Sequence, residues 1–195
     1  MEQKKPVDRR LQIVEAAAKS FAMFGYKATT MELVSKIAAV GKGTIYTFFA
    51  TKEDLFSEII GQLCTELRVL AERVIDRERN FFDNLAAVLY ELLLFREKHE
   101  LIVKLSQEVR DIGTPMAKDG IAKMETAIHT FIKHEVELAV QKGELRAVNP
   151  GLTAFMMLRM YVALGAEWNK HHEPLTREEI ADYFTSLLRD GITAN

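Results

Sequence analysis

An all-α fold is predicted for this chain of 195 residues. Apolar residues recur at helical spacing along nearly its whole length, no apolar–polar alternation suits a strand, and capping residues and glycine stops punctuate the pattern. About nine helices follow from that punctuation. With 48% hydrophobic and 28% charged residues, the composition is that of an ordinary globular chain, enough for one good-sized domain or two small ones.

Leu11, Val14, Ala17, Phe21 and Phe24 mark a first helix over about 8–24, with Gly25 as its stop. Thr29 and Glu32 have capping-box spacing and open a second helix at about 30–38, with Leu33, Val34 and Ile37 on its apolar face. Ala38 and Ala39 are small enough for a tight turn. Gly41 can cap a third helix at about 42–48, anchored inward by Ile45, Phe48 and Phe49. A helix this short is marginal in water and must be held by packing. Thr51 caps a long fourth helix, running to about residue 78 through Leu55, Ile59, Leu63, Leu67, Leu70 and Val74. The stretch from Phe81 to Lys98 is apolar nearly all round, which places a fifth helix at the centre of a bundle. A sixth spans about 99–111 and ends before Gly113 and Pro115. The seventh, about 115–142, turns Ile121, Met124, Ile128, Phe131 and Leu138 inward and stops at Gly143. Asn149 and Pro150 form a cap and first-position pair that opens an eighth helix to about 170. Thr176 and Glu179 form a second capping box for a ninth, to about 190.

Residues 29–55 thus hold two short helices, a tight turn and the entry to a longer helix, the layout of a helix-turn-helix with duplex DNA as partner. The short third helix leaves Lys42, Thr44, Tyr46 and Thr47 pointing away from its anchors, and small polar and basic groups there suit a major groove. Charge supports this division. Residues 1–52 carry a net charge of +5 and the rest of the chain −7, so a basic polyanion-facing head at 1–52 precedes an acidic body at 53–195. The single cysteine, Cys64, cannot form an internal disulfide, which points to a reducing, cytoplasmic compartment. Nothing resembles a secretory signal, and the most apolar stretch, Leu152 to Ala166, is interrupted by Arg159 and falls short of the ~20 residues needed to span a bilayer. No membrane partner is expected.

The run Ile13-Val14-Glu15-Ala16-Ala17, then Phe21, Gly25-Tyr26, Thr29-Thr30, Lys42-Gly43-Thr44-Ile45-Tyr46, Phe49, Lys52-Glu53 and Leu55 resembles the tetracycline-repressor (TetR) family. The motif match covers the head; the length and helix pattern agree over the remainder. The resemblance implies an all-helical homodimer that represses transcription from a palindromic operator and releases it on binding a small molecule. It implies that Lys42, Thr44 and Thr47 face bases, that Gly43 allows close approach, and that Thr30, Tyr46 and Lys52 contact phosphates. Lys4, Lys5, Arg9 and Arg10 are candidates for further backbone or minor-groove contacts. The sequence departs from the family pattern at Ala39, where a turn glycine is usual, at Gly41, where a polar cap is common, and at Ile37, where a polar residue is usual.

The eighth helix is apolar on almost every side, and the ninth offers Ile180, Tyr183, Phe184, Leu187 and Leu188. The excess apolar surface calls for a cover, and a two-fold contact through helices eight and nine supplies one. An effector cavity among helices four to eight would be mostly apolar, with Met124, Ile128, Phe131 and Trp168 as lining candidates and an apolar or amphipathic ligand (a drug, a fatty acyl compound or a quaternary cation) as its occupant. A change in the angle of helix four is the expected link to the head. No cofactor, metal site or catalytic set is expected: Gly41-Lys42-Gly43-Thr44 lacks phosphate-loop spacing, His99-Glu100 lacks a second histidine, and Glu125, His129 and His134 read as a solvated face. The alternatives are a ligand-binding helical protein without sequence-specific DNA recognition, which the altered turn residues would favour, and a helical enzyme, which would need a titratable pair.

Overall fold

The structure, a computed structural model, describes residues 8–192. Among these residues the chain folds as nine α-helices: α1 (Arg9–Ala28), α2 (Met31–Ile37), α3 (Lys42–Phe48), α4 (Lys52–Val74), α5 (Phe81–Lys98), α6 (Glu100–Asp111), α7 (Pro115–Gln141), α8 (Pro150–Val162) and α9 (Arg177–Ile192). One π-helical turn (Ala163–Glu167) and one 3₁₀ turn (Trp168–Lys170) continue α8. The all-α expectation holds. Lys4 and Lys5 lie outside the described residues.

The chain forms two compact units. The first comprises Met1–Leu63 and His99–Lys123. Its core is built from Ile13, Ala17 and Phe21 of α1, Val34 of α2, Ile45 of α3, Leu55, Phe56 and Ile60 of α4, and Leu105 of α6, all of them fully buried or nearly so. Phe21, Tyr26 and Phe56 form an aromatic cluster with ring centroids 4.9–5.7 Å apart, an edge-to-face geometry at both contacts with Phe56.

Gly25 breaks α1 as its sequence position foretells. Its φ of 79° would strain any other residue, and the chain makes one more turn to Ala28 before leaving the helix. The capping box expected from Thr29 and Glu32 does not form. Thr30 is the N-cap of α2 and accepts from the Leu33 N–H at 3.1 Å. Thr29 is buried instead, its hydroxyl donating to the Gly25 carbonyl at 2.8 Å, while Glu32 pairs with Lys36 on the helix surface. The turn leaving α2 has the Schellman pattern: the Val40 N–H reaches Ser35 O and the Ala39 N–H reaches Lys36 O. Ala39 occupies the left-handed position with φ 50°, where glycine is the usual residue.

The second unit comprises Cys64–Lys98 and Met124–Asn195. Its core gathers Phe82, Leu89 and Leu93 of α5, Val136 and Ala139 of α7, Met157 of α8, and Ile180, Ala181 and Phe184 of α9. α5 is half-buried along most of its length rather than enclosed; only Phe82, Leu89, Leu93 and Phe95 are buried. α4 ends at Val74, one turn before its expected limit, where Asp76 accepts from the Glu78 N–H and gathers Asn84 against its own backbone. Asn149 caps α8 through the Leu152 N–H, and Thr176 and Glu179 form the expected reciprocal box at α9. The helical stretch from Pro150 does reach residue 170, but its end is underwound into the π-helical turn and then tightened into the 3₁₀ turn. Among the described residues no helix is long and apolar enough to cross a membrane.

Candidate nucleic-acid interface

α3 is seven residues long and rests on Ile45, fully buried, with Phe49 sealing its end. Ile45 and Phe49 are one turn apart, so together they fix one face inward and turn the opposite face out. Lys42, Gly43, Tyr46 and Thr47 are exposed on the free side, and Thr44 is half-buried at its margin. Gly41 precedes the helix with extended backbone and no side-chain cap. A Cβ placed on Gly43 would meet nothing within 4 Å, so this glycine answers no need of the protein's own packing. The exposed Thr47 donates its hydroxyl proton back to the Thr44 carbonyl at 2.7 Å, so that proton is already engaged. Phe48, expected as an anchor, is 42% exposed. The helix is too short to bury three large groups: with Ile45 and Phe49 inward, residue 48 falls on the flank it shares with Thr44.

The remaining candidate contacts surround this element. Thr30 is exposed, with its hydroxyl oxygen capping α2. Lys52, the first residue of α4, is directed to the end of α1. Its ammonium donates to the carbonyls of Tyr26 and Thr29, each at 3.0 Å, and lies 4.1 Å from the Tyr26 ring centroid. Two of its three N–H groups are therefore engaged within the head. Arg10 makes a bidentate pair with Glu58, at 3.0 and 3.1 Å, with its guanidinium 5.2 Å from the Phe49 ring centroid. That pair holds the Glu58 carboxyl below the usual carboxylate range. Arg9 bonds to Gln12 on its own helix.

A second set of contacts fixes the end of α1, and sequence reasoning missed its principal member. Glu108 of α6 is only 5% exposed. Its two carboxylate oxygens accept from the backbone N–H groups of Tyr26 (2.6 Å) and Lys27 (3.1 Å), the donors freed by the break at Gly25. A side chain at Gly25 would collide with that carboxylate. The Tyr26 hydroxyl donates to Glu53 at 2.6 Å, which lowers the Glu53 carboxyl, while burial and then this bond raise the Tyr26 phenol. A signal did exist: Glu108 continues the inward stripe of Leu101, Ile102 and Leu105, where a carboxylate is out of place unless it has buried donors to meet.

The candidate effector residues are not gathered alike. Met124 is buried, and Ile128 and Phe131 are half-buried along one side of α7. Trp168 is 39% exposed; its indole N–H donates to the Glu173 carbonyl and its ring stacks on His172 at 3.9 Å. It belongs to the 3₁₀ turn that follows α8 and the π-helical turn, apart from the α7 candidates in the chain. Glu125 pairs with Arg159 of α8, and His129 Nε2 lies 3.0 Å from the Gly151 carbonyl oxygen, so neither is a free ligand group.

Residues 13–59 match the family model of bacterial regulatory proteins of the tetR family, and residues 71–192 that of the tetracyclin repressor-like C-terminal domain. The chain is 44% identical to the uncharacterised HTH-type transcriptional regulator YhgD of Bacillus subtilis (strain 168) over 189 residues, 97% of this chain and 99% of that protein. It is 32% identical to the fatty acid metabolism regulator protein of the same organism, over 75% of this chain and 74% of that one. Among solved structures, the SmeT–triclosan complex shares the fold with a TM-score of 0.78 at 16% identity, covering 96% of this chain and 92% of its own. With a braced reading helix in the first unit and both family models matched, the chain is a member of the tetracycline-repressor family, a DNA-binding, ligand-responsive regulator of transcription.

Proposed function

We propose that this protein is a cytoplasmic homodimeric repressor that holds a palindromic operator through two copies of α3 and releases it on binding a fatty acyl compound. The observation that carries the reading is the outward face of α3, bare at Gly43 and polar at Lys42, Thr44, Tyr46 and Thr47, over an anchor of fully buried Ile45. Lys42, Thr44 and Thr47 reach base edges, Gly43 lets the helix backbone approach the groove, and Thr30, Tyr46 and Lys52 contact phosphates. Lys52 offers its one remaining N–H, so its ammonium positions the head and meets the backbone at once. On this reading 1–52 is the recognition module and 53–195 serves the effector and the dimer.

The effector class rests on two supports. One is the likeness to a fatty acid metabolism regulator. The other is the chemistry beside Met124, Ile128 and Phe131: Arg159 pairs with Glu125, yet its Nε is buried without an acceptor among the described residues. An apolar tail along α7 with an acidic head at Arg159 satisfies both. Coupling of ~1–3 kcal/mol between the sites would lower operator affinity about 5–150-fold.

The test is fluorescence anisotropy on a duplex selected by the full chain from a random library. Specific binding that weakens when long-chain fatty acids or their thioesters are added is expected, with Arg159→Gln blunting the response while leaving DNA affinity intact. A chain that binds such ligands but no duplex in dilute salt would instead be a ligand-binding protein without DNA recognition.

A further inference from the structure

We propose that α3 selects its sites by thymine methyl groups, read by the exposed ring of Phe48 with the Thr47 methyl beside it. The inference rests on the DNA-binding reading of α3 and names what that helix prefers. The C-terminal half of α3 is poor in the groups that read other bases. Guanine is read in the major groove by Arg or Lys, adenine by Asn or Gln, and cytosine by a carboxylate; of these α3 carries only Lys42. Its single cation, Lys42, stands at the first position. Five residues on, the hydroxyl proton of the exposed Thr47 is engaged with the Thr44 carbonyl, so its methyl group and an acceptor oxygen are what it has left to offer. Phe48 follows on the flank shared with Thr44, 42% exposed although Ile45 and Phe49 beside it are buried.

A phenyl ring left 42% exposed at that point keeps much of its apolar surface in water, and it cannot hydrogen-bond a phosphate. The thymine C5-methyl is the one apolar group that a base pair offers in the major groove, and a phenyl ring is among its natural contacts. The net charge of +5 on residues 1–52 supplies the general attraction to phosphate, so Phe48 is free to contribute preference rather than affinity.

The experiment uses the full chain and a duplex chosen by it from a random library. Each thymine is replaced singly by deoxyuridine, which deletes only the methyl group. The expected result is at least one thymine per half-site whose loss weakens binding about three- to fivefold, as removal of one buried apolar carbon requires. That loss should vanish in Phe48→Ala, and 5-methylcytosine should bind better than cytosine at the same position. If deoxyuridine is tolerated everywhere, methyl reading is overturned; this arm needs no variant and survives a misfolded Phe48→Ala. If the methyl dependence persists in Phe48→Ala, another side chain reads it and the assignment to Phe48 fails. Failure to bind any duplex in dilute salt would overturn the operator-binding reading itself, a different outcome from specific binding without methyl dependence.

Discussion

Glu108 shows how much one side chain can decide. A carboxylate removed from water needs donors, and the break at Gly25 provides two backbone N–H groups that α1 itself cannot satisfy. Glu108→Ala leaves the Tyr26 N–H buried and unpaired and is expected to cost about 2–3 kcal/mol in urea unfolding, with Glu108→Gln costing less because one acceptor oxygen remains. Acid acts on a neighbouring pair. Hydrogen bonds from Tyr26 and from Arg10 hold Glu53 and Glu58 below their ordinary value of 4.5. Their contribution to stability is present above that value and is lost as pH falls through the lower folded values. The urea midpoint should therefore drop as pH is taken from 6 toward 3, and Glu58→Gln should flatten that dependence. Tyr26 has the opposite sign: its phenol is raised above the ordinary 10, so its contribution is lost in alkali as pH climbs past 10. Reading residues from sequence succeeded where spacing alone sets the outcome, as at Ile45. It failed at Phe48 and Glu108, because the space behind α3 and the partner of α6 are set by elements distant in the chain.

At the scale of elements, most boundaries were legible because local chemistry sets them. Asn149 before Pro150, Thr176 with Glu179, and the glycine at 143 act within one turn of their own helix. Thr29 and Thr30 were confused for a tertiary reason: either hydroxyl could cap α2, but Thr29 is drawn into the core by Ser20 and the Gly25 carbonyl. The π-helical turn after Val162 had no sequence signature; Arg96 of α5 donates to the Gly165 carbonyl there, and that contact spans 69 positions. The turn after α2 yields a direct test. Ala39 holds a left-handed conformation at φ 50° within a Schellman pattern that glycine favours. Relief of the left-handed penalty, less the entropy glycine loses on folding, predicts that Ala39→Gly stabilises the protein by about 0.5–1 kcal/mol. An unchanged or lowered thermal midpoint would show that the departure from the family's usual glycine is not a strained one.

At the scale of the molecule, the question is what covers the outer faces of α8 and α9. Each of these helices already fills the second unit from one side, α8 with Ala154, Met157 and Leu158, α9 with Ile180, Ala181 and Phe184. Their opposite faces are not polar. Leu152, Phe155 and Met156 stand out from α8 at spacings of one helical turn, and Tyr183 (58% exposed) and Leu187 (50% exposed) do so from α9. Large apolar groups repeated at that spacing on two helices of one unit leave apolar surface in want of a cover, and on the proposed dimer reading a second copy of the same faces supplies it. A two-fold contact meets every substitution twice, so one carboxylate per chain places two in the interface. Tyr183→Asp combined with Leu187→Asp should give a monomer by sedimentation at micromolar concentration, with helical content unchanged because neither residue serves the internal core. Loss of the second head removes its effective-concentration advantage, so specific operator affinity should fall at least about 100-fold while weak binding to arbitrary DNA persists. A dimer that survives both substitutions would place the interface elsewhere, and a monomer that retains full operator affinity would remove dimerisation from the mechanism.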